Sequence, residues 1–260
     1  MPEIQELMRM RSEGSTVAHL NVADIRRLDL GVLPQISVQD AVSQILGSLD
    51  DKIIVNDRIR EVSSSLLRCY SDVLHWDVSR VRKLSEVIEL RYGKALKATD
   101  RTPGDVPVFG GNGISGSHDT PLVSGPGIII GRKGANAGSV SWSQKDFWPI
   151  DTAFYVESKG EGLPLEYLFF LLQRVDLRGV VGDSAIPGLN RETALSLGVS
   201  LPETDSVTRF VEFVRPMLQR QQAAEEESRS LMELRDALLP KLMSGEIRVK
   251  DAERVVEEAV

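Results

Sequence analysis

The 260-residue chain is short of the residue types on which several kinds of chemistry depend. It has one cysteine, Cys69, so no disulfide forms within it. Its three histidines, His19, His75 and His118, lie far apart without the paired spacing of a zinc site. No run reaches the roughly 18 apolar residues that a membrane span needs, and the start, MPEIQELMRMR, lacks the basic-then-apolar order of a secretory signal. A cytoplasmic protein with no membrane segment and no metal is the expectation. Positive charge is also scarce, with a formal net charge of −7. Nonspecific affinity for nucleic acid is mostly Lys and Arg neutralising phosphates, so any anion site must be local. Two places stand out: Arg91, Lys94, Lys97 and Arg101 face only Asp100, and Arg132 and Lys133 adjoin with no neighbouring acid.

What the chain does contain is 42% hydrophobic and 27% charged residues, the balance of a packed protein, in three textures. Residues 36–75 hold no proline and one glycine, Gly47, and their apolar residues recur in steps of three and four: Val38, Val42, Ile45, Leu49, Ile53, Ile59, Val62 and Leu66. That is one helical stripe. Such a helix is about 55 Å long, more than a compact domain needs, so it requires a partner. Polar Asn56 and Ser63 interrupt the stripe, as in coiled coils that trade stability for register. A second long helix is expected over 204–245, with Val207, Phe210, Val211, Val214, Leu218, Leu231, Leu234, Leu238 and Leu242 on its apolar face. Pro216 should kink it, and Ser244-Gly245 is its stop signal. Residues 246–260 form a charged tail, either frayed or a short helix. The run from Leu238 to Met243 is too apolar for a solvent-facing end, so it packs on the first helix or offers a groove to a partner.

Between the helices, residues 76–203 hold most of the glycine and proline and short apolar runs such as Gly127–Gly131 and Thr152–Val156, which fit short strands joined by turns. Pro164 opens one helical run, Leu165–Leu172. The fold class is therefore α+β: one β-rich domain with short helices, and two long helices forming an antiparallel coiled-coil stalk. The pairing residues are Val42, Ile45, Leu49, Ile53, Ile59 and Leu66 on the first helix, and Val214, Leu218, Leu231, Leu238 and Leu242 on the second. Cys69, Trp76, Trp142 and Trp148 read as core or hinge residues.

Self-comparison finds a repeat. Gly14–Asn21 matches Asp183–Asn190, each is followed by a Leu-Pro pair (Leu33-Pro34 and Leu201-Pro202), and each then leads into a long helix. The chain reads as the end of one module (1–35) and its helix, followed by a whole module and its helix.

Several segments together resemble the DNA-sequence specificity subunit of type I restriction-modification systems: Pro107–Gly116, Gly125–Gly134, Phe147–Thr152, Gly188–Asn190 and Leu234–Ile247, with Ile45–Ile53 and Asn56 resembling that family's inter-domain helix. The resemblance implies a cytoplasmic, non-catalytic component of a restriction system for phage defence. It would read half of a split site on double-stranded DNA, with its helices setting the gap and docking methyltransferase subunits. No cofactor is expected on this chain. S-adenosylmethionine, ATP and magnesium would sit on partner subunits, including a restriction and translocase subunit reached through the complex. Family members usually carry two recognition domains; with one complete domain and a remnant over 1–33, this chain would work alone, pair with itself to read a symmetric split site, or join a second half-subunit.

The candidate DNA contacts follow from residue chemistry. Bases are read by amide, hydroxyl and guanidinium groups on protruding backbone, while lysines and main-chain amides hold phosphate. The loop 110–118 offers Asn112, Ser115, Ser117 and His118 between glycines that permit close approach. The loop 131–136 offers Arg132 for a guanine edge, Lys133 for phosphate and Asn136 for adenine. Lys94, Lys97 and Arg101 are candidates for phosphate, and Ser184 and Asn190 for the junction. Solvated turns are the plainer alternative for all of these. A second reading is a stand-alone dimeric DNA-binding or regulatory module. A third is a metal-dependent nuclease built on Asp151, Glu157 and Lys159. No phosphate-cradling GxxxxGK[ST] motif is present.

Overall fold

The computed structural model describes residues 6, 8, 22–27, 34–74, 80–159, 162–182, 185 and 187–259. They divide into two compact units, Met1–Ile59 with Ala224–Val260, and Arg60–Ala223. The helices are α1 (Val22–Arg26), α2 (Ile36–Leu74), α3 (Leu84–Val87), α4 (Leu165–Arg174), α5 (Arg191–Ser196), α6 (Thr204–Ser244) and α7 (Val249–Ala259). The strands are β1 (Arg80–Lys83), β2 (Ile88–Tyr92), β3 (Val106–Gly110), β4 (Gly113–His118), β5 (Gly127–Gly131), β6 (Val140–Ser143), β7 (Trp148–Pro149), β8 (Ala153–Ser158), β9 (Val181–Gly182), β10 (Gly188–Leu189) and β11 (Gly198–Leu201). The first copy of the repeat, Gly14–Asn21, lies outside the described residues, as do His75 and Trp76.

The first unit is helical. The amide of Gln39 donates to the Pro34 carbonyl (2.8 Å) at the start of α2. Val42, Ile45 and Leu49 of α2 are buried with Leu231, Leu238 and Leu242 of α6, and Ile53 packs on the same cluster. The helices run antiparallel here: Arg235 donates to Asp50 (2.8 Å) while Asn56 donates to Glu227 (2.7 Å), so numbering rises on one helix as it falls on the other. The Leu238–Met243 run divides, with Leu238 and Leu242 buried but Leu239 44% and Met243 38% exposed. Helix α6 ends at Ser244, and Gly245 takes a φ of +73°, which a side chain disfavours. The chain then forms α7, whose Ala252 and Val256 enter the cluster. The charged tail is thus an amphipathic helix packed on the pair.

The second unit is mixed. A four-stranded antiparallel sheet has the order β2-β8-β5-β6, a smaller sheet the order β4-β3-β7 with β7 parallel to β3, and β1 pairs with β11. Strand β5 is buried along its whole length. Because side chains alternate across a strand, Ile128 and Ile130 join one core cluster while Ile129 joins another with Phe109 and Phe147. Helix α4 is apolar nearly all round and packs in the first of these clusters. There Phe210 of α6, fully buried, meets Tyr70 of α2 (ring centroids 5.6 Å, stacked) and Tyr167 and Phe170 of α4 edge-on (6.2 and 5.4 Å).

The phase of α2 in this unit departs from the expected stripe. Leu67 is 2% exposed, whereas Leu66 and Val62 are each 50% exposed. A step of three from Ile53 leads to Asn56, which is fully buried, and regular steps onward lead through part-buried Ile59 and Ser63 to Leu67. Following apolar residues alone skips the polar seam positions and emerges one residue out of phase. Leu66 is therefore not a pairing residue. Cys69 is exposed for the same reason and belongs to no core.

Replacing Leu49 by Ala should cost about 2–5 kcal/mol, because the cavity has nowhere to collapse between two helices. Replacing Leu66 by Ala should stay within about 0.5 kcal/mol. Urea denaturation of both variants checks the assignment, and an equal cost would refute it.

Candidate nucleic-acid interface

Strand β5 runs into the loop that carries Arg132, Lys133 and Asn136, and backbone hydrogen bonds close that loop tightly. The N–H of Gly131 donates to the Ser139 carbonyl (2.9 Å), that of Gly138 to Gly131 (2.8 Å), and that of Ser139 to Asn136 (3.0 Å). A Cβ at Gly131 would come within 2.4 Å of the Asn136 carbonyl oxygen and 2.7 Å of that of Gly111, so only glycine permits this approach. The loop is also held from outside: Gly134 N–H donates to Pro187 (2.9 Å), Leu189 N–H to the Arg132 carbonyl (2.8 Å), and Lys133 bridges Gly188.

The β3–β4 turn joins it. A Cβ at Gly111 would fall 2.1 Å from the Lys133 carbonyl oxygen, and Gly111 N–H donates to the Thr152 hydroxyl (3.1 Å). Asn112 Oδ1 lies 3.5 Å from where a Cβ on Gly134 would stand. Asn112, the Arg132–Asn136 loop and the junction at 187–189 thus converge on one patch. Asn112, Lys133 and Asn136 are exposed there.

Arg132 is positioned by more than its loop. Strand pairing sets Tyr92 opposite Phe154, and the Arg132 guanidinium lies over both rings, 5.1 and 5.8 Å from their centroids. Its Nη1 donates to the Asp151 carbonyl (2.8 Å). A cation fixed on aromatic faces presents a set edge, the geometry that planar recognition requires. The aromatic platform has no signature in the sequence, because the register that places Tyr92 against Phe154 arises only in the sheet.

Other candidates prove to be occupied within the fold. His118 is buried, its Nδ1 accepts the Thr102 N–H (3.0 Å), and its ring meets Trp148 edge-on at 5.4 Å. Arg101 donates to the Ser115 carbonyl (2.7 Å), and the Ser115 hydroxyl donates to Val108 (3.3 Å), so this pair staples the β3–β4 hairpin. Asn190 caps α5, its side chain accepting the N–H groups of Glu192 (2.9 Å) and Thr193 (3.0 Å). Asn190 shows the preference of a short polar side chain for its local backbone, whereas His118 and Arg101 meet backbone groups 16 and 14 residues away. Ser117, Lys94 and Lys97 are exposed, and Lys94 is tied to the site through its backbone, whose N–H donates to Pro149 (3.0 Å) and whose carbonyl accepts the Trp148 indole N–H (2.9 Å). Ser184 lies outside the described residues.

Two of the residues considered for metal chemistry, Glu157 and Lys159, are engaged in ion pairs. Glu157 pairs with Arg91 (2.9 Å), and Lys159 pairs with Glu89 (2.5 Å), which also meets Arg191 (2.5 Å). Glu89 and Glu157 stand directly opposite across β2 and β8, so these cations offset a like-charge contact. The hydrogen bond from Lys159, foremost, holds the Glu89 carboxyl below its ordinary value. Among the described residues no group of three or more His, Cys, Asp or Glu is arranged to hold a metal ion. No described helix is long and apolar enough to cross a membrane.

Comparison with known proteins agrees with this picture. Residues 77–228 match the model of the type I restriction modification DNA specificity domain. The specificity subunit of the type I restriction enzyme EcoprrI from Escherichia coli is 31% identical over 113 residues, covering 42% of this chain and 28% of that subunit. A chain designated a type I specificity subunit in Mycoplasma pneumoniae is 22% identical over 259 residues, covering 92% of this chain and 69% of its own length. In fold, the S subunit of a type I restriction-modification system from M. genitalium superposes with a TM-score of 0.70 at 18% identity, over 93% of this chain and 70% of that one. The family model spans more than half of the chain, and the chain belongs to the type I restriction modification DNA specificity domain family.

Proposed function

We propose that the second unit reads one half of a bipartite site on double-stranded DNA, as the non-catalytic recognition part of a type I restriction-modification complex. The observation that carries this is the convergence of the Asn112 turn, the Arg132–Asn136 loop and the 187–189 junction on one patch. Amide and guanidinium groups there are held by backbone contacts, and a cation sits beside them. Such groups match base edges in the major groove, where an Arg pairs with guanine and an Asn with adenine. Lys94, Lys97 and Lys133 would hold flanking phosphates without reading sequence.

The long helices α2 and α6 serve, on this reading, as the ruler between half-sites and as the dock for methyltransferase subunits. S-adenosylmethionine, ATP and magnesium then belong to the partners. The acidic total of −7 fits a protein whose own grip on phosphate is local and whose partners complete the clamp. A stand-alone dimer is the competing reading. Purification from native cells separates them, since co-purifying methyltransferase supports the complex and a lone dimer refutes it.

Replacing Arg132 by Ala should cost about 1–3 kcal/mol and relax preference at one base position. Replacing Lys94 by Ala should weaken all sequences alike and flatten the salt dependence by about one unit. Selection from a random duplex library reads both, and identical effects would overturn the division of roles. Asn190→Ala should lower stability by about 1 kcal/mol through the lost cap while leaving base preference intact, which melting and the same selection measure. Lengthening α2 between Asp57 and Ser65 should change the gap recognised but not the half-site bases. Methylome sequencing checks this, and an unchanged gap would refute the ruler.

A further inference from the structure

One cation beside the reading loop was not among the expected contacts. Arg178 follows α4, and its carbonyl accepts the Val181 N–H (3.2 Å), so it opens the segment that becomes β9. Strand β9 pairs with β10, and Gly188 of β10 in turn bridges Lys133. At the other end of the same loop, Gly138 takes a φ of +81° and lies against Leu177 and Arg178. A Cβ there would stand 2.9 Å from the Leu177 carbonyl oxygen and 3.0 Å from the Arg178 nitrogen. Residues 177–178 and 187–189 therefore hold the reading loop at its two ends. They set Lys133 at one end and Arg178 at the other, with Asn136 between them in sequence.

The surroundings of Arg178 are those of an anion site. A cleft of about 390 Å³ lies beside it, lined by Gly138, Ser139, Gln173, Arg174, Asp176 and Arg178 among others, and its lining is mostly polar. The other charges in it have partners. Arg174 is paired with Asp72, and Asp176 accepts the Gly179 N–H (2.9 Å) to close its own turn. Arg178 is exposed, and among the described residues no carboxylate pairs with it. An exposed arginine that no carboxylate among the described residues pairs with, beside a rigid loop of base-reading groups, matches what a backbone phosphate requires.

We propose that Arg178 is a phosphate anchor, holding the DNA backbone at the far end of the reading loop from Lys133, so that the two cations fix the register in which Arg132 and Asn136 meet the bases. This rests on the DNA-recognition reading above, and its test separates the two. The full chain is titrated with a labelled random-sequence duplex library over a range of salt, and bound DNA is sequenced. Arg178→Ala should lower the slope of log affinity against log salt by about 0.9, the release of one phosphate's counterions, with the selected motif unchanged. Arg178→Lys should restore the slope, which a merely structural role for the side chain would not do.

If the unaltered chain binds and selects a motif while Arg178→Ala keeps the full slope, the anchor is overturned and the recognition reading stands. If Arg178→Ala changes the motif at one position with the slope intact, Arg178 reads a base and the anchor is again overturned. If neither the unaltered chain nor the complex that co-purifies with it shows salt-dependent affinity for the library, the recognition reading falls and takes the anchor with it.

Discussion

The second unit is organised by the complete burial of β5. Five consecutive residues, Gly127 to Gly131, lie inside, with isoleucines facing two different core clusters and a glycine at each end where no side chain fits. At Gly127 a Cβ would stand 2.3 Å from the Phe147 ring, and at Gly131 it would meet two carbonyl oxygens. A strand packed on both faces has no freedom to shift register, since a slip of one residue would exchange the two sets of isoleucines. The loop that leaves its end inherits that rigidity. Precision of this kind is what base readout demands, because a guanidinium displaced by an ångström no longer meets two acceptors at once.

The helical parts solve a different problem. Along α2 and α6 the seam is not uniformly apolar: Asn56 and Ser228 are buried within it, Ala224 leaves no side-chain bulk, and Gln221 reaches Ser64 (2.9 Å) and the Arg60 carbonyl (3.2 Å). Lys52 and Asn56 both meet Glu227 (3.5 and 2.7 Å), and Arg235 meets Asp50. Buried polar groups weaken a helix pair relative to leucine, but they penalise every register that leaves them unmatched. The seam is thus set for one register more than for the greatest stability.

The acidic net charge and the recognition of an acidic polymer are compatible because the basic side chains are divided. Many cations are paired with carboxylates of the same chain: Arg91 with Glu157, Lys159 and Arg191 with Glu89, Arg215 with Glu166 at 2.6 Å. Those at the loop patch are not so paired among the described residues, and Arg132 is turned onto aromatic rings instead. Composition counts all of these equally, and only pairing distinguishes a structural cation from one available to phosphate.

What the sequence determined by itself was whatever depends on local periodicity and on residue type at a turn. The apolar steps Val42, Ile45 and Leu49 marked a helix face, the glycine-bounded isoleucines of 127–131 a short strand, and the density of glycine between the long helices a β-rich domain. The tertiary structure alone decided which polar side chains remain available. His118 and Arg101 carry polar groups as Asn112 does, yet each is taken up by a backbone group 16 or 14 residues away that folding brings within reach. It also decided the phase of α2 beyond Asn56, where the seam passes through polar residues, and the stacking of Arg132 on Tyr92 and Phe154, which lie far from it in the chain. The reason is physical: hydrophobic patterning acts between near neighbours in sequence, whereas hydrogen-bond satisfaction is settled only when distant segments meet and water is excluded.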